Sequence, residues 1–115
     1  MTFHGNMKEF IDNNTTYWLG KNAQDNWDII KNAEVKWIWM HLDKFPSGHV
    51  IICKNSDIVT NEEIIYGSRL CISNSKYKAQ NNIGVVYCEI SNLTLGVDIG
   101  SVYFKSNRKT KTIII

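Results

Sequence analysis

Proline occurs once in the 115 residues, alanine three times and cysteine three times. The cysteines, Cys53, Cys71 and Cys88, are odd in number and widely spaced, with no C-x-x-C pair. That argues against a disulfide framework and a thiolate zinc site, and it suits a reducing, cytoplasmic compartment. Long apolar runs are missing too. The longest are tetrapeptides such as Trp37 to Met40 and Val50 to Cys53, whereas a membrane helix needs roughly 20 apolar residues; no span is expected. Met1 to Asn14 lacks a basic region followed by an apolar core, so no secretory leader is expected either. Neither G-x-G-x-x-G nor G-x-x-x-x-G-K-[ST] occurs, which removes the glycine-rich nucleotide loops.

What is present fits one globular domain over 1–115, with 43% apolar and 21% charged residues. Isoleucine, asparagine and lysine number 16, 13 and 11. This abundance reads as an A+T-rich coding bias, so Asn and Lys richness alone carries no functional weight. The placement of charge carries more. Residues 1–63 hold six Lys against nine acids, a balance of −3. Residues 64–115 hold Arg69, Lys76, Lys78, Lys105, Arg108, Lys109 and Lys111 against Glu89 and Asp98, a balance of +5. Such asymmetry concentrates positive potential and attracts an anionic polymer; a solvated lysine surface that binds nothing is the plain alternative.

Lys8 to Ile11 and Thr15 to Leu19 flank the turn-tolerant Asp12-Asn13-Asn14 and read as a hairpin. Asp25 is placed to cap a short helix of about 25–31. Val35 to Leu42 alternates as a strand, with Trp37, Trp39 and His41 on one face and Ile38, Met40 and Leu42 on the other. Phe45-Pro46-Ser47-Gly48 turns the chain into a partner strand, His49 to Cys53. Thr60-Asn61-Glu62-Glu63 is a capping box that starts the main helix, about 61–77. Its buried stripe, Ile64, Ser68, Cys71 and Ser75 with Gly67 beside it, is small enough to lie close on a sheet. Strands are expected at Gly84 to Ile90, Gly100 to Lys105 and Thr110 to Ile115, the last two joined as a hairpin through Ser106 to Lys109. The class is α+β: a mostly antiparallel sheet built from hairpins and covered by the main helix.

His41 and His49 flank the Pro46 turn and are the first site candidates. His-x7-His is not a zinc spacing, and only Asp43 and Cys53 lie nearby as further ligands. No Ser or Cys sits in a reactive motif beside them, so neither a catalytic nor a metal site is expected. A hydrolase would need a metal or nucleophile that the sequence does not offer. With Ser47 the two histidines are expected to form a structural and binding corner; the hairpin register decides whether they share a face, and if they do, one neutral ring accepts from the Ser47 hydroxyl or a backbone N–H while its other nitrogen donates to an RNA phosphate or ribose. Lys21 and Asn22, in the turn after Gly20, can meet a phosphate or a base edge, or be no more than a solvated Lys and a turn Asn. Four tryptophans, Trp18, Trp27, Trp37 and Trp39, are many for this length. They either stack on bases or fill the core: Trp39 reads as core, and Trp18 and Trp37 stay open.

Leu19-Gly20-Lys21-Asn22-Ala23-Gln24-Asp25-Asn26, then Trp39-Met40-His41, then Pro46-Ser47-Gly48-His49-Val50 resembles the NFACT-R domain family, RNA-binding modules of ribosome-associated quality control. Val85-Val86-Tyr87 and Val97-Asp98-Ile99-Gly100 fit as well, and Val85 to Leu93 is similar to the standalone branch that appends a charged coiled-coil tail. The resemblance covers about 15–115. Met40 stands where the family usually has Phe, Trp37 where it usually has Asp, and Pro46-Ser47-Gly48 inverts the usual Gly-Ser order. The sequence stops at Ile115, before that tail, so functions resting on the tail are not expected here. The resemblance implies a non-enzymatic module with no cofactor, taking tRNA or ribosomal RNA and acting at ribosomes. Some standalone relatives are linked to DNA, which leaves DNA as a second ligand, and a protein-docking module is the competing class. The expected contact set is Lys21, Asn22, His41, Ser47, His49, Arg69, Lys105, Arg108, Lys109 and Lys111.

Overall fold

The computed structural model describes residues 7–115; the part of the leader reading that falls on 1–6 lies outside them. The chain opens with a hairpin of β1 (Lys8–Asp12) and β2 (Thr15–Leu19). Asn13 and Asn14 take φ of 48° and 65° between them. Two successive left-handed residues match the twist of a two-residue hairpin, and asparagine tolerates that region better than other side chains.

Next come α1 (Ala23–Asn32), β3 (Ile38–Leu42), β4 (Val50–Ile52), a tight helical turn at Ser56–Ile58, and α2 (Asn61–Ser73). The chain closes with β5 (Gly84–Glu89), β6 (Leu93–Leu95), β7 (Val102–Phe104) and β8 (Lys111–Ile114). One six-stranded sheet has the order β1-β2-β4-β3-β5-β8, antiparallel throughout, and β6 and β7 form a separate two-stranded ribbon. The α+β class holds, with two helices and an antiparallel sheet.

Both faces of the large sheet are covered, so its central strands are apolar on both sides. On one face Leu19, Met40, Val50 and Ile52 pack with Ile64, Cys71 and Ile72 of α2. Gly67 makes this approach possible: a Cβ there would stand 2.5 Å from Met40 Sδ. On the other face Trp18, Trp39 and Ile51 pack with Ile29 and Ile30 of α1, and Leu93 and Phe104 of the ribbon close the layer. The sequence anticipated the helical cover and not the ribbon.

Four expectations change in detail. Asn22, not Asp25, caps α1; its side-chain oxygen accepts from the Asp25 N–H (2.9 Å), while the Asp25 carboxylate accepts from the Lys21 N–H (3.2 Å). The α2 helix ends at Ser73 rather than near Tyr77. There the Asn74 amide and the Ser75 hydroxyl donate to the Leu70 and Ile72 carbonyls, and Ser75 Oγ accepts from the Tyr77 N–H; such local bonds compete with helix continuation. Residues 35–37 precede β3 instead of extending it. Finally, β7 and β8 are not hairpin partners. Each pairs elsewhere, and Asn107–Lys109 is a tight helical turn carrying the chain from one sheet to the other.

Candidate nucleic-acid interface

The register of β3 on β4 pairs Trp39 with Ile51 and Met40 with Val50, so the next step sets His41 opposite His49. The histidines therefore share a face, the one covered by α1 and the ribbon. Their rings are 5.0 Å apart and nearly perpendicular, and the His41 ring lies parallel to Trp39, 5.9 Å away. The polar atoms around them are used by the fold. Trp39 Nε1 donates to His49 Nδ1 (3.0 Å), and Asn26 Oδ1 accepts from the His49 N–H (3.1 Å). His41 Nδ1 lies 2.6 Å from the Leu42 carbonyl, which only accepts, so the proton is on that nitrogen.

Ser47 does not bond to a histidine ring. Its hydroxyl accepts from the Leu42 N–H (3.2 Å) and donates to the Gly48 carbonyl (3.0 Å), fastening the turn. Burial lowers the pKa of both rings. For His41 it outweighs hydrogen bonds to the Leu42 and Ser47 backbone, and for His49 burial and then the His41 ring bring the value to about 3. Both rings are neutral near physiological pH.

Gly20 donates its N–H to the His49 carbonyl (2.9 Å), which places exposed Lys21 and Asn22 beside this corner. Gly100 (φ +91°) closes the other side, packed so tightly on α1 that a Cβ would stand 2.9 Å from Ala23 Cα. Between the Pro46 turn and residues 100–104 opens a cavity of about 480 Å³, lined by Trp39, His41, His49 and Phe104 among others.

A second, larger groove of about 790 Å³ lies at the far end of the sheet, between the start of α2 and the segment 105–111. Lys105, Lys109 and Lys111 line it with Tyr87 and Glu89. Glu89 accepts from the Ser56 and Ser91 hydroxyls, and these bonds hold its carboxyl below the usual range. The lysine segment is held by Asn92. Its buried amide donates to the Ser106 carbonyl (2.9 Å) and accepts from the Ser106 N–H (3.0 Å), and its own carbonyl takes the Lys105 N–H (2.8 Å).

The expected contact residues thus fall into two groups: Lys21, Asn22, His41, Ser47 and His49 at the corner, and Lys105, Lys109 and Lys111 in the groove. Arg108 sits in the same turn as Lys109 without lining the groove, and Arg69 is exposed on α2 and lines neither cavity. The ion pairs among the described residues, Lys36–Asp57 and Lys54–Glu63, are both in the first half. No tryptophan is exposed. Trp18 and Trp39 are core, Trp37 packs edge-on against Trp18, and Trp27 donates to the Ser101 carbonyl (2.9 Å). Asn26, Asn92 and Phe104 were missed. An Asn three residues before an acid, as in Asn22-x-x-Asp25, was the available signal for the α1 cap; for Asn26 and Asn92 nothing local shows the long-range bond. The three cysteines are free, and burial pushes the Cys88 thiol up to about 11. Among the described residues no three His, Cys, Asp or Glu cluster as a metal site, and no helix is long and apolar enough to cross a membrane.

Comparison with known proteins bears on the family and the fold. Coiled-coil domain-containing protein 25 of Danio rerio is 33% identical over 107 residues, covering 87% of this chain and 52% of that protein. Its Mus musculus counterpart is 28% identical, covering the whole chain and 59% of the relative. The chain therefore spans a little over half the length of these curated relatives. The C-terminal structure of the fibronectin/fibrinogen-binding protein from Streptococcus suis superposes over 99% of this chain and 46% of its own, with a TM-score of 0.85 at 22% identity, and so shares the fold. The sequence pattern of the NFACT protein RNA binding domain matches residues 7–106, and the chain belongs to that family.

Proposed function

We propose that the chain is one non-enzymatic RNA-binding module whose main phosphate contacts come from the groove lysines. The observation that carries this is the wall formed by Lys105, Lys109 and Lys111. None of the three is in an ion pair among the described residues; the Asn92 amide holds Ser106, the Asn92 carbonyl takes the Lys105 N–H, the Ser106 carbonyl takes the Lys109 N–H, and Lys111 is paired with Tyr87 in the sheet. Unpaired cations on a fixed backbone suit a polyanion, because each phosphate contact releases a counterion. Arg108 in the same turn adds to the local field, and Lys21 at the corner supplies a second contact. Transfer or ribosomal RNA, met at the ribosome in the cytoplasm, is the ligand implied by the family. DNA is the alternative ligand, since phosphate contacts do not distinguish the two and only the 2′-hydroxyl does.

The test is a titration of fluorescent single-stranded RNA at two salt concentrations. Wild type binds at low salt and weakens steeply as salt rises. The triple variant K105A/K109A/K111A loses a large part of the affinity, and its log–log salt slope falls by about 2, at roughly 0.7 for each phosphate no longer neutralised by a lysine. Its melting temperature stays where it was. Absence of binding by the wild type at low salt would remove the proposal.

A protein-docking reading has one observation in its favour. Val97, Ile99 and Tyr103 of the β6–β7 hairpin are 85%, 55% and 58% exposed, and clustered apolar exposure marks interaction surfaces. Capture of a partner that survives nuclease treatment and is lost in V97D/I99D would favour it.

A further inference from the structure

The cavity over the histidine pair contains a hydrogen-bond donor that the fold leaves unused. Trp39 Nε1–H donates to His49 Nδ1, so the neutral His49 ring carries its proton on Nε2. That Nε2–H makes no hydrogen bond within the described residues. No side-chain nitrogen or oxygen among them is both sealed from solvent and unpartnered. The atom therefore reaches open space, and the space its ring lines is this cavity. His49 is only 4% exposed, and its orientation is fixed by Trp39 on the ring and Asn26 on the backbone.

The surroundings define the kind of group that fits. Trp39, His41 and Phe104 give aromatic walls, with Phe104 edge-on to Trp39 at 5.6 Å. A volume of about 480 Å³ is in the range of small-molecule sites. A phosphate seeks a cation or several charged donors, and the neutral imidazole offers neither; its single N–H matches an uncharged acceptor on a planar ring. The exposed pair Asp43 and Lys44 also lines the cavity, so its mouth carries charges of both signs.

We propose that this cavity accepts one unpaired nucleobase of a single-stranded RNA, with His49 Nε2–H donating to a carbonyl or ring-nitrogen acceptor on the base edge and the aromatic walls holding the ring. It rests on the RNA-binding reading above and adds to it that the protein recognises bases as well as backbone.

The test compares the full chain's affinity for a short oligouridylate with that for an oligomer of equal length and charge in which the bases are absent. Wild type binds the oligouridylate about tenfold more tightly, the order of one stacked base. His49→Asn keeps an acceptor for the Trp39 N–H and deletes the Nε2 donor. It brings the ratio down to about two while leaving the affinity for the abasic oligomer unchanged. Should His49→Asn fail to fold, wild-type long-range ¹H–¹⁵N spectra decide: the His49 Nε2 resonance moves with oligouridylate and not with the abasic oligomer. Equal salt-dependent binding of both oligomers with an unmoved Nε2 resonance overturns the base pocket and leaves the RNA reading standing. Failure of both oligomers to bind at low salt overturns both readings.

Discussion

Around the histidine pair nearly every polar atom is already bonded within the fold: Trp39 to His49, Asn26 to the His49 backbone, Ser47 to Leu42 and Gly48. Around Lys105, Lys109 and Lys111 the backbone is held and the charged ends are not in ion pairs. The corner thus looks like a site in sequence because chemically rich residues meet at a turn, yet most of that chemistry builds the turn. The groove shows in sequence only as part of a basic second half, and in the structure its three lysines stand outside the ion pairs of the described residues. Substitutions at the corner are expected to change stability first, and substitutions in the groove to change affinity first.

The largest expected effect on stability is acidification. The unfolded His49 ring protonates near 6.5 and the folded one only near 3. The unfolded state therefore takes up protons first, and stability present above about pH 6.5 is lost as the pH falls through that window. At 1.36 kcal/mol per pH unit across this window the loss reaches on the order of 5 kcal/mol. Glu63 adds to it. Burial opposes its charge, but bonds from Lys54, Thr15 and Thr60 bring its pKa from 4.5 to about 2, so its share is lost between those values. Urea melts across this range check the sign, and the groove triple variant should keep the wild-type profile. A profile that moved with the lysines instead would break the contrast.

A smaller effect is expected from Asn26→Ala, which leaves the buried His49 N–H without its acceptor. It should cost about 1–3 kcal/mol, read as a lower melting temperature, with RNA affinity per folded molecule nearly intact. The smallest is Asn22→Ala, about 1 kcal/mol for removal of a helix cap. Asn22 sharpens the comparison, because it was expected to contact RNA. A drop in affinity larger than the drop in stability, measured on the same sample, would return it to the binding set.

The legible parts of the fold were those specified locally. Asn13-Asn14 marks its own turn, and Thr60 with Glu63 forms the expected capping box. Gly67 and Ser68 announced a helix lying close on a sheet, which Met40 Sδ then meets. The alternation Ile38, Met40, Leu42 against Trp39, His41 was also readable, since strand period alone sets it. The ribbon was not. Val102–Phe104 falls inside the strand expected at Gly100 to Lys105, but its partner Leu93–Leu95, three residues long, is too short for periodicity to show, so the pairing of the two could not be read. At the site, the sequence named the histidines and lysines but not their separation into two places. That division follows from β3–β4 register and from Asn92, both long-range facts.

The double hold of Asn92 on Ser106 also has a kinetic meaning. A segment pinned by an amide at both its N–H and its carbonyl has few alternative conformations to surrender when a ligand arrives. Encounter with a polyanion is then limited by electrostatic steering toward the lysines rather than by a loop that must first find its shape. On the reading proposed above, salt then acts on the encounter as well as on the phosphate contacts themselves.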